Sequence, residues 1–531
     1  MSMFASNKAI STCILIVCVA IFVLLALKMS PFIPDDSYIS FRYAENLAEG
    51  NGITFNPNER PVEGYSNFLW ILLCSILVRF GLDLPYWAPR MGVLFGILNI
   101  FLFWLILRRR TEYSWHLVIP LMLLACSAPF LLYAISGMET PLFSFLLLAA
   151  IFLADYAFNT ERSLWFILFS VTSVLVAFCR PEGVITFPTI AVLLIYFSKK
   201  CNKETPRSVM KPLLLASVLF VISLLAYNVW RIRYFGEVIP APFLSKAGGG
   251  GSILRAWYTN LHFFFIRQNH YFAPFGYYYG ALTLLAVVAL AFEDLRRPAS
   301  SLELTSLILT MVYMAVYVNF VDWMPGMRYY SALIPLLLIP IARLQEGLFR
   351  EFNPTSSFRA AIRFSIISIA ILLMSLFGVA QLKIDAQRNE ESTSSSLVAL
   401  GKWLKHSIPP GSLMAISDVG ATPYYSGLPT LDFNPEPLTD MQIAKYGWSN
   451  DYFFKRNPKV VIFVSFSLTE PKFYGKHMQL LNDPRFSKLY RLVGVTRYDW
   501  YQDRCYWVYL HRDIELGDVA LEQFPKGIGS H

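Results

Sequence analysis

Two adjacent carboxylates, Asp35 and Asp36, stand in the run Pro34-Asp35-Asp36-Ser37-Tyr38, directly after the first long apolar segment of the chain. Side-by-side carboxylates repel each other, and such a pair is tolerated where a reaction needs a proton acceptor or a cation ligand. A purely local reading also exists. Asp36 could be the N-cap of a polar helix over 37–49, accepting from its first free N–H groups, with Gly50 in the C′ position behind it. One aspartate is enough for a cap, so the second points to chemistry. The same polar stretch carries Arg42, Tyr43 and Glu45 and runs on to Val62-Glu63-Gly64-Tyr65.

The elements that must hold this pair belong to a membrane protein. Of 531 residues, 55% are hydrophobic and 15% charged, which is the composition of the membrane class and not of a soluble enzyme. Residues 10–27 are uncharged and almost wholly apolar, with no small-residue cleavage site before Pro31-Phe32. They are expected to form a retained transmembrane helix. Seven cysteines are scattered, and only Cys505 falls in the polar C-terminal part, which leaves no disulfide framework there.

Hydropathy gives twelve candidate spans: 10–29, 66–80, 87–107, 116–134, 141–157, 163–179, 184–198, 212–230, 276–292, 303–320, 330–347 and 363–381. Twelve crossings would put Arg108-Arg109-Arg110 on the same side as Asp35-Asp36, against the retention of basic loops in the cytoplasm. Residues 67–80 are short for a crossing and carry Phe68, Trp70 and a terminal Arg79. Taken as a helix lying in the interface, they remove the conflict. About eleven spans remain, with the N-terminus inside and everything after Gln381 outside. The basic connections at 108–110, 162, 199–211, 296–297 and 343–363 then share one side. Topology therefore accounts for the net charge of +9 without nucleic acid.

The outer side collects 35–85, Ser136-Gly137-Met138-Glu139-Thr140, Arg180-Pro181-Glu182-Gly183, the loop 231–275, the run from Asp322-Trp323 to Arg328, and the C-terminal region. The division expected is a transmembrane module over 1–384, with an outer loop at 30–86 carrying juxtamembrane helices, and an extracytoplasmic α/β domain over 385–531 of about 150 residues. In that domain a helical pattern runs through Leu397, Leu400, Trp403 and Leu404 and ends before Pro409. Residues 413–416 and 460–464 read as buried strands, and 490–495 with 506–510 as a late antiparallel pair. Asp418 follows the first strand directly, where α/β folds carry site loops. Gly248 to Gly251 read as a hinge. His262 and His270, in an aromatic stretch, read as structural.

No dinucleotide, Walker, HExxH or GxSxG motif is present. With no nucleotide site, a reaction on the outer face needs a substrate already activated on a lipid. The predicted spans carry almost no charge at their centres, which argues against a transporter or flippase.

The ordered set of motifs resembles a known family. Asp35-Asp36-Ser37-Tyr38-Ile39 with Arg42-Tyr43-Ala44, Gly52 to Pro57 and Val62-Glu63-Gly64-Tyr65 look like the first outer loop of the C-type (GT-C) glycosyltransferases. The likeness is to the terminal arabinofuranosyltransferases of mycobacterial cell-wall arabinan. Ser136 to Pro141, Arg180-Pro181-Glu182-Gly183, Asp322-Trp323-Met324 and Tyr424-Tyr425-Ser426-Gly427 recur in similar places.

The resemblance implies a mainly α, polytopic GT-C fold. It also implies transfer of a sugar, arabinofuranose or another pentose, from a polyprenyl-phosphate donor to a hydroxyl of an extracytoplasmic glycan or protein, at a bacterial inner membrane. A hexose or amino-sugar transferase acting on lipopolysaccharide or protein is the alternative within the class. Such chemistry needs a base for the acceptor proton and cations or amides for the departing phosphate. Asp36 is the expected base, with Asp35 orienting it, or the reverse. Arg180, Lys246 and Arg328 are the expected phosphate partners. Arg42, Tyr43, Glu63, Tyr65, Glu139, Glu182, Asp322, Trp323 and Asp418 are the expected sugar and acceptor contacts, with Glu182 beside Arg180 to orient its fork. A Mg²⁺ or Ca²⁺ on Asp35-Asp36 is compatible with carboxylate chemistry, and no sequence feature requires one.

Overall fold

The computed structural model describes residues 2–29, 31–111, 114–200, 206–242, 273–294, 301–319, 324–350, 357–434, 437–473, 475–498 and 504–525. Lys246, Asp322, Trp323, His262, His270 and the 248–251 glycines lie outside them.

An apolar helix coincides with each of the eleven expected spans. Six are long and apolar enough to cross a membrane: Lys8–Lys28, Leu84–Arg108, Thr140–Thr160, Pro181–Lys199, Val209–Phe235 and Ser365–Ser407. A seventh is a bent pair, Ser114–Ala125 and Ala128–Ala134, with a 59° break. Pro129 at the start of its second half denies the helix a backbone donor there. Ser375 mends the break: its hydroxyl donates to Cys126 O (2.7 Å) and accepts from Ala128 N (3.0 Å), as backbone polar groups in an apolar medium require. Ser163–Cys179, Tyr278–Val288, Leu302–Tyr317 and Ile334–Arg343 are shorter apolar helices. The chain is a multi-pass membrane protein. Phe68–Arg79, at 12 residues, extends about 18 Å, well short of a bilayer core.

Two compact units divide the chain. One gathers Met1–Ser30, Pro89–Asn228 and Gly251–Ile384; the other gathers Pro31–Ala88, Val229–Gly250 and Asp385–His531. Residues 31–88 thus cluster with the C-terminal region and not with the helices that flank them in sequence. The helix Ser357–Ser392 continues through a π-helical turn, Thr393–Val398, into Ala399–Ser407. No proline interrupts this run.

The second unit holds a five-stranded sheet of order β2-β1-β3-β5-β4, from β1 (Met414–Ile416), β2 (Thr430–Asp432), β3 (Val460–Ser465), β4 (Tyr490–Tyr498) and β5 (Arg504–His511). β2, β1 and β3 run parallel; β5 is antiparallel to β3 and β4. Every residue of β1 and β3 is buried, which explains their unbroken apolar sequences. Phe433, Phe453, Phe463, Phe486 and Trp507 form much of the core on this sheet.

Candidate active site

The acidic pair lies in the second unit, at the start of the helix Asp35–Ala48. Pro34 precedes it with φ −66° and ψ 156°, and no side chain caps the helix. The N-cap of the alternative reading of Asp36 is therefore not made. Asp35 and Asp36 occupy the first turn itself, where the helix dipole favours negative charge. Gly50, at φ +89°, ends the helix in the left-handed conformation expected of it.

Asp35 turns away from its own helix. Its Oδ1 accepts from Ala421 N at 2.7 Å and its Oδ2 from Gly420 N at 3.1 Å. These amides open the helix Ala421–Ser426 behind β1, so the carboxylate also sits at a second helix N-terminus. Gly420 is required by the approach: a Cβ there would overlap the Asp35 carbonyl oxygen and its carboxyl. Asp418, two residues earlier and directly after β1 as expected, accepts from Tyr506 Oη (2.7 Å) and lies 3.4 Å from Arg504 Nη1. Burial pushes the Asp35 carboxyl up to about 7, reinforced by the charges of Asp418 and Asp36 and opposed by the Ala421 and Gly420 amides. A carboxyl in that range is partly ionised at neutral pH and binds a proton firmly enough to serve as an acceptor.

Four expected sugar contacts fasten this centre to its surroundings. Arg42 is buried, donating through Nε to Phe55 O (2.8 Å) and through its Nη atoms to Leu428 O (2.8 Å), Pro423 O (2.5 Å) and Asn56 Oδ1 (3.3 Å). Asn56 in turn bonds both backbone groups of Thr430 on β2. Tyr43 Oη donates to Val62 O (2.7 Å) and accepts from Gly64 N (3.0 Å). Glu63 is buried against Arg231, Nη1 to Oε2 at 2.5 Å. Burial raises the Glu63 carboxyl, and Arg231 opposes the rise. Tyr65 packs edge-on to Tyr43 (5.0 Å) and Phe235 (6.1 Å). Arg42, Tyr43 and Glu63 direct these polar atoms to protein groups, so their place is in the scaffold of the 52–65 loop.

The first unit gathers the expected phosphate partners that fall within the described residues. Arg180 lies in extended backbone between Ser163–Cys179 and the turn Pro181–Ile185. It is buried, with Nε 2.8 Å from Glu139 Oε1 and Nη2 2.8 Å from Thr140 Oγ1. Its orienting carboxylate is thus Glu139, 41 positions away, and not the neighbouring Glu182, which accepts from Tyr317 Oη at 3.2 Å. Arg328 follows a left-handed pair, Gly326 (φ +70°) and Met327 (φ +56°), and donates to Tyr329 Oη at 3.0 Å. The Tyr329 ring lies 4.8 Å from the Arg328 guanidinium and 5.5 Å from that of Arg180. Two cations, two carboxylates and a shared tyrosine form one cluster.

Ala421, Arg231, Arg504, Tyr506 and Tyr329 were not singled out as site residues in the sequence, while Thr140 and Gly420 stood only within the motifs of Glu139 and Asp418; Tyr329 had a local signal in its neighbour Arg328. Among the described residues no group of three His, Cys, Asp or Glu side chains converges; each Asp35 oxygen accepts one amide proton.

Residues 382–509 match a family model described only as a domain of unknown function (DUF8728). No curated protein matches the chain. Among solved structures, ArnT from Cupriavidus metallidurans bound to undecaprenyl phosphate is similar over 94% of this chain and 97% of its own, at 13% identity and TM-score 0.57. Its apo state gives 14% identity and TM-score 0.56, covering 93% and 97%. The archaeal oligosaccharyltransferase AglB from Archaeoglobus fulgidus, in complex with an inhibitory peptide and a dolichol-phosphate, covers 86% of this chain and 69% of its own at 14% identity and TM-score 0.53. At such identities the likeness is one of fold, which the chain shares with ArnT and AglB.

Proposed function

We propose that this chain is a membrane glycosyltransferase that moves a sugar from a polyprenyl-phosphate donor to a hydroxyl on an extracytoplasmic glycan or protein. The observation that carries the reading is Asp35: a carboxyl poised near neutral pH, with Asp36 beside it, on the first polar segment after a membrane helix. Support comes from the shared fold with ArnT and AglB, one bound to undecaprenyl phosphate and the other to a dolichol-phosphate.

In the reaction, the acceptor oxygen forms the new bond to the anomeric carbon while the bond from that carbon to the phosphate oxygen breaks. The acceptor proton passes to Asp35, and the electron pair of the broken bond leaves on the polyprenyl phosphate. Asp36 holds the acceptor side negative, which favours proton departure. Such a reaction also needs cations for the charge that develops on the phosphate; Arg180, Arg328 and Lys246 are the candidates for that role. Glu139, by fixing Arg180, serves it indirectly. The motif likeness to arabinofuranosyltransferases favours a pentose, and the basic loops favour a bacterial inner membrane with this chemistry on its outer face.

The test is a transfer assay on purified protein with a panel of synthetic polyprenyl-phosphate pentoses, hexoses and amino sugars, read by mass change of candidate acceptors. Transfer from one of them is expected. Transfer from a nucleotide sugar in the absence of polyprenyl phosphate would overturn the reading.

A further inference from the structure

We propose that residues 418–421 are a positioning element of the reaction centre, in which Asp418 anchors the loop whose amides aim the Asp35 carboxylate. Asp418 is then not a sugar ligand, and the segment matching the domain of unknown function acquires a role. This rests on the reading that Asp35 takes the proton.

Three features of the second unit carry the inference. Each oxygen of Asp35 receives one amide, from Gly420 and from Ala421, which fixes the plane of the carboxylate and the direction of its remaining lone pairs. The approach leaves no room for a side chain at Gly420, because both the main chain and the carboxyl of Asp35 fill that space. Finally, Asp418 is tied to β5 through Tyr506 and Arg504, and Thr422 Oγ1 donates to Leu397 O at 3.0 Å on the other side of the loop. The loop is thus held at both ends by the fold. Asp418 also brings a negative charge close enough to Asp35 to keep its carboxyl basic.

Both Arg504 and Tyr506, like the loop itself, fall within residues 382–509. In this chain that segment therefore contributes the amides, the anchor and the strand that set a carboxylate borne by residues 31–88. Misplacement of a reacting group by about 1 Å can cost on the order of a hundredfold in rate, so the anchor matters although it touches no reacting atom.

The experiment compares Asp418→Asn, Asp418→Glu and Gly420→Ala with wild type in the transfer assay. Asp440→Ala is the control; it removes the N-cap of the helix Met441–Tyr446 in the same unit. Asp418→Asn and Gly420→Ala are expected to lower kcat at least about tenfold with little change in KM for the lipid donor or in melting temperature. Asp418→Glu should recover part of the loss, and Asp440→Ala should lower the melting temperature at constant kcat. Unchanged kcat in Asp418→Asn, or a raised KM for the acceptor at constant kcat, would overturn the proposal. Should Gly420→Ala not fold, the near-isosteric Asp418→Asn decides. If wild type transfers no sugar, the functional reading fails separately, and hydrogen exchange still tests the positioning. Asp35→Ala is expected to speed exchange at the Gly420 and Ala421 amides, and unchanged rates would refute the clamp.

Discussion

Asp35 and Ala421 lie 386 positions apart and are joined by a 2.7 Å hydrogen bond from the Ala421 amide to Asp35 Oδ1. This bond shows why residues 31–88 cluster with the C-terminal region. A carboxylate at the N-terminus of one helix finds its donors at the N-terminus of another, so a charge that would be costly to bury is met by two aligned peptide dipoles.

Replacing Asp35 or Asp36 by Asn should reduce transfer by about a hundredfold or more while leaving the chain folded. The carboxamide in Asp35→Asn keeps one acceptor oxygen for a backbone amide but takes no proton at neutral pH. The measurement is kcat beside the melting temperature, and full activity in both variants would remove the pair from the mechanism.

The pH dependence follows from the raised Asp35 carboxyl. Protonated below about 7, it is unable to accept a proton, so kcat should rise with pH through that value and level off above it. Stability runs the other way. The folded chain binds this proton more tightly than the unfolded chain, whose reference is about 3.9. The proton-linked stability is therefore full below about pH 4 and is lost as pH rises through about 7. Asp35→Asn should flatten both curves; a kcat profile that stays flat across this window would rule Asp35 out as the acceptor.

Arg231→Met leaves the Glu63 carboxylate buried without the cation it faces, 2.5 Å away in the wild type. Removing one partner of a buried pair costs about 3–5 kcal/mol, and a large drop in melting temperature is expected. Adding Glu63→Gln should recover part of it, because no uncompensated charge remains. Additive losses in the double variant would show that the two side chains act independently.

These pairs also mark what the sequence could reveal. Asp35, Asp36 and Asp418 were legible because each follows a recognisable element, a membrane helix or a buried strand. β1 and β3 were legible as unbroken apolar runs. The partners Glu139 for Arg180 and Arg231 for Glu63 were not, since 41 and 168 positions separate them and only the folded chain brings them together. Arg42 and Tyr43 looked like ligands because polar side chains beside a site do, while the carbonyls they serve have no sequence signature. The continuous helix to Ser407 was hidden by its polar stretch near 383–396, which lacks apolar periodicity although nothing in it breaks a helix.

Arg180 holds Glu139 and Thr140 through two different nitrogens. Lysine has no such fork, so Arg180→Lys should behave almost as badly as Arg180→Ala. A loss of about a hundred- to a thousandfold in kcat is expected for removal of a donor to the developing phosphate charge. Loss confined to donor KM would instead assign Arg180 to ground-state binding.

The orientation of the membrane helices predicts which surfaces a membrane-impermeant thiol reagent reaches. Arg109 and Ser66 are both exposed and stand on opposite sides in the arrangement that keeps basic loops cytoplasmic. In a variant whose native cysteines are replaced, a single cysteine at position 66 should be labelled in spheroplasts. One at position 109 should be labelled only after the membrane is opened. The comparison turns on Phe68–Arg79, the helix too short to cross: if it did cross, position 109 would share the outer side with Asp35, and labelling of that cysteine in intact spheroplasts would displace the proposed chemistry from the outer face.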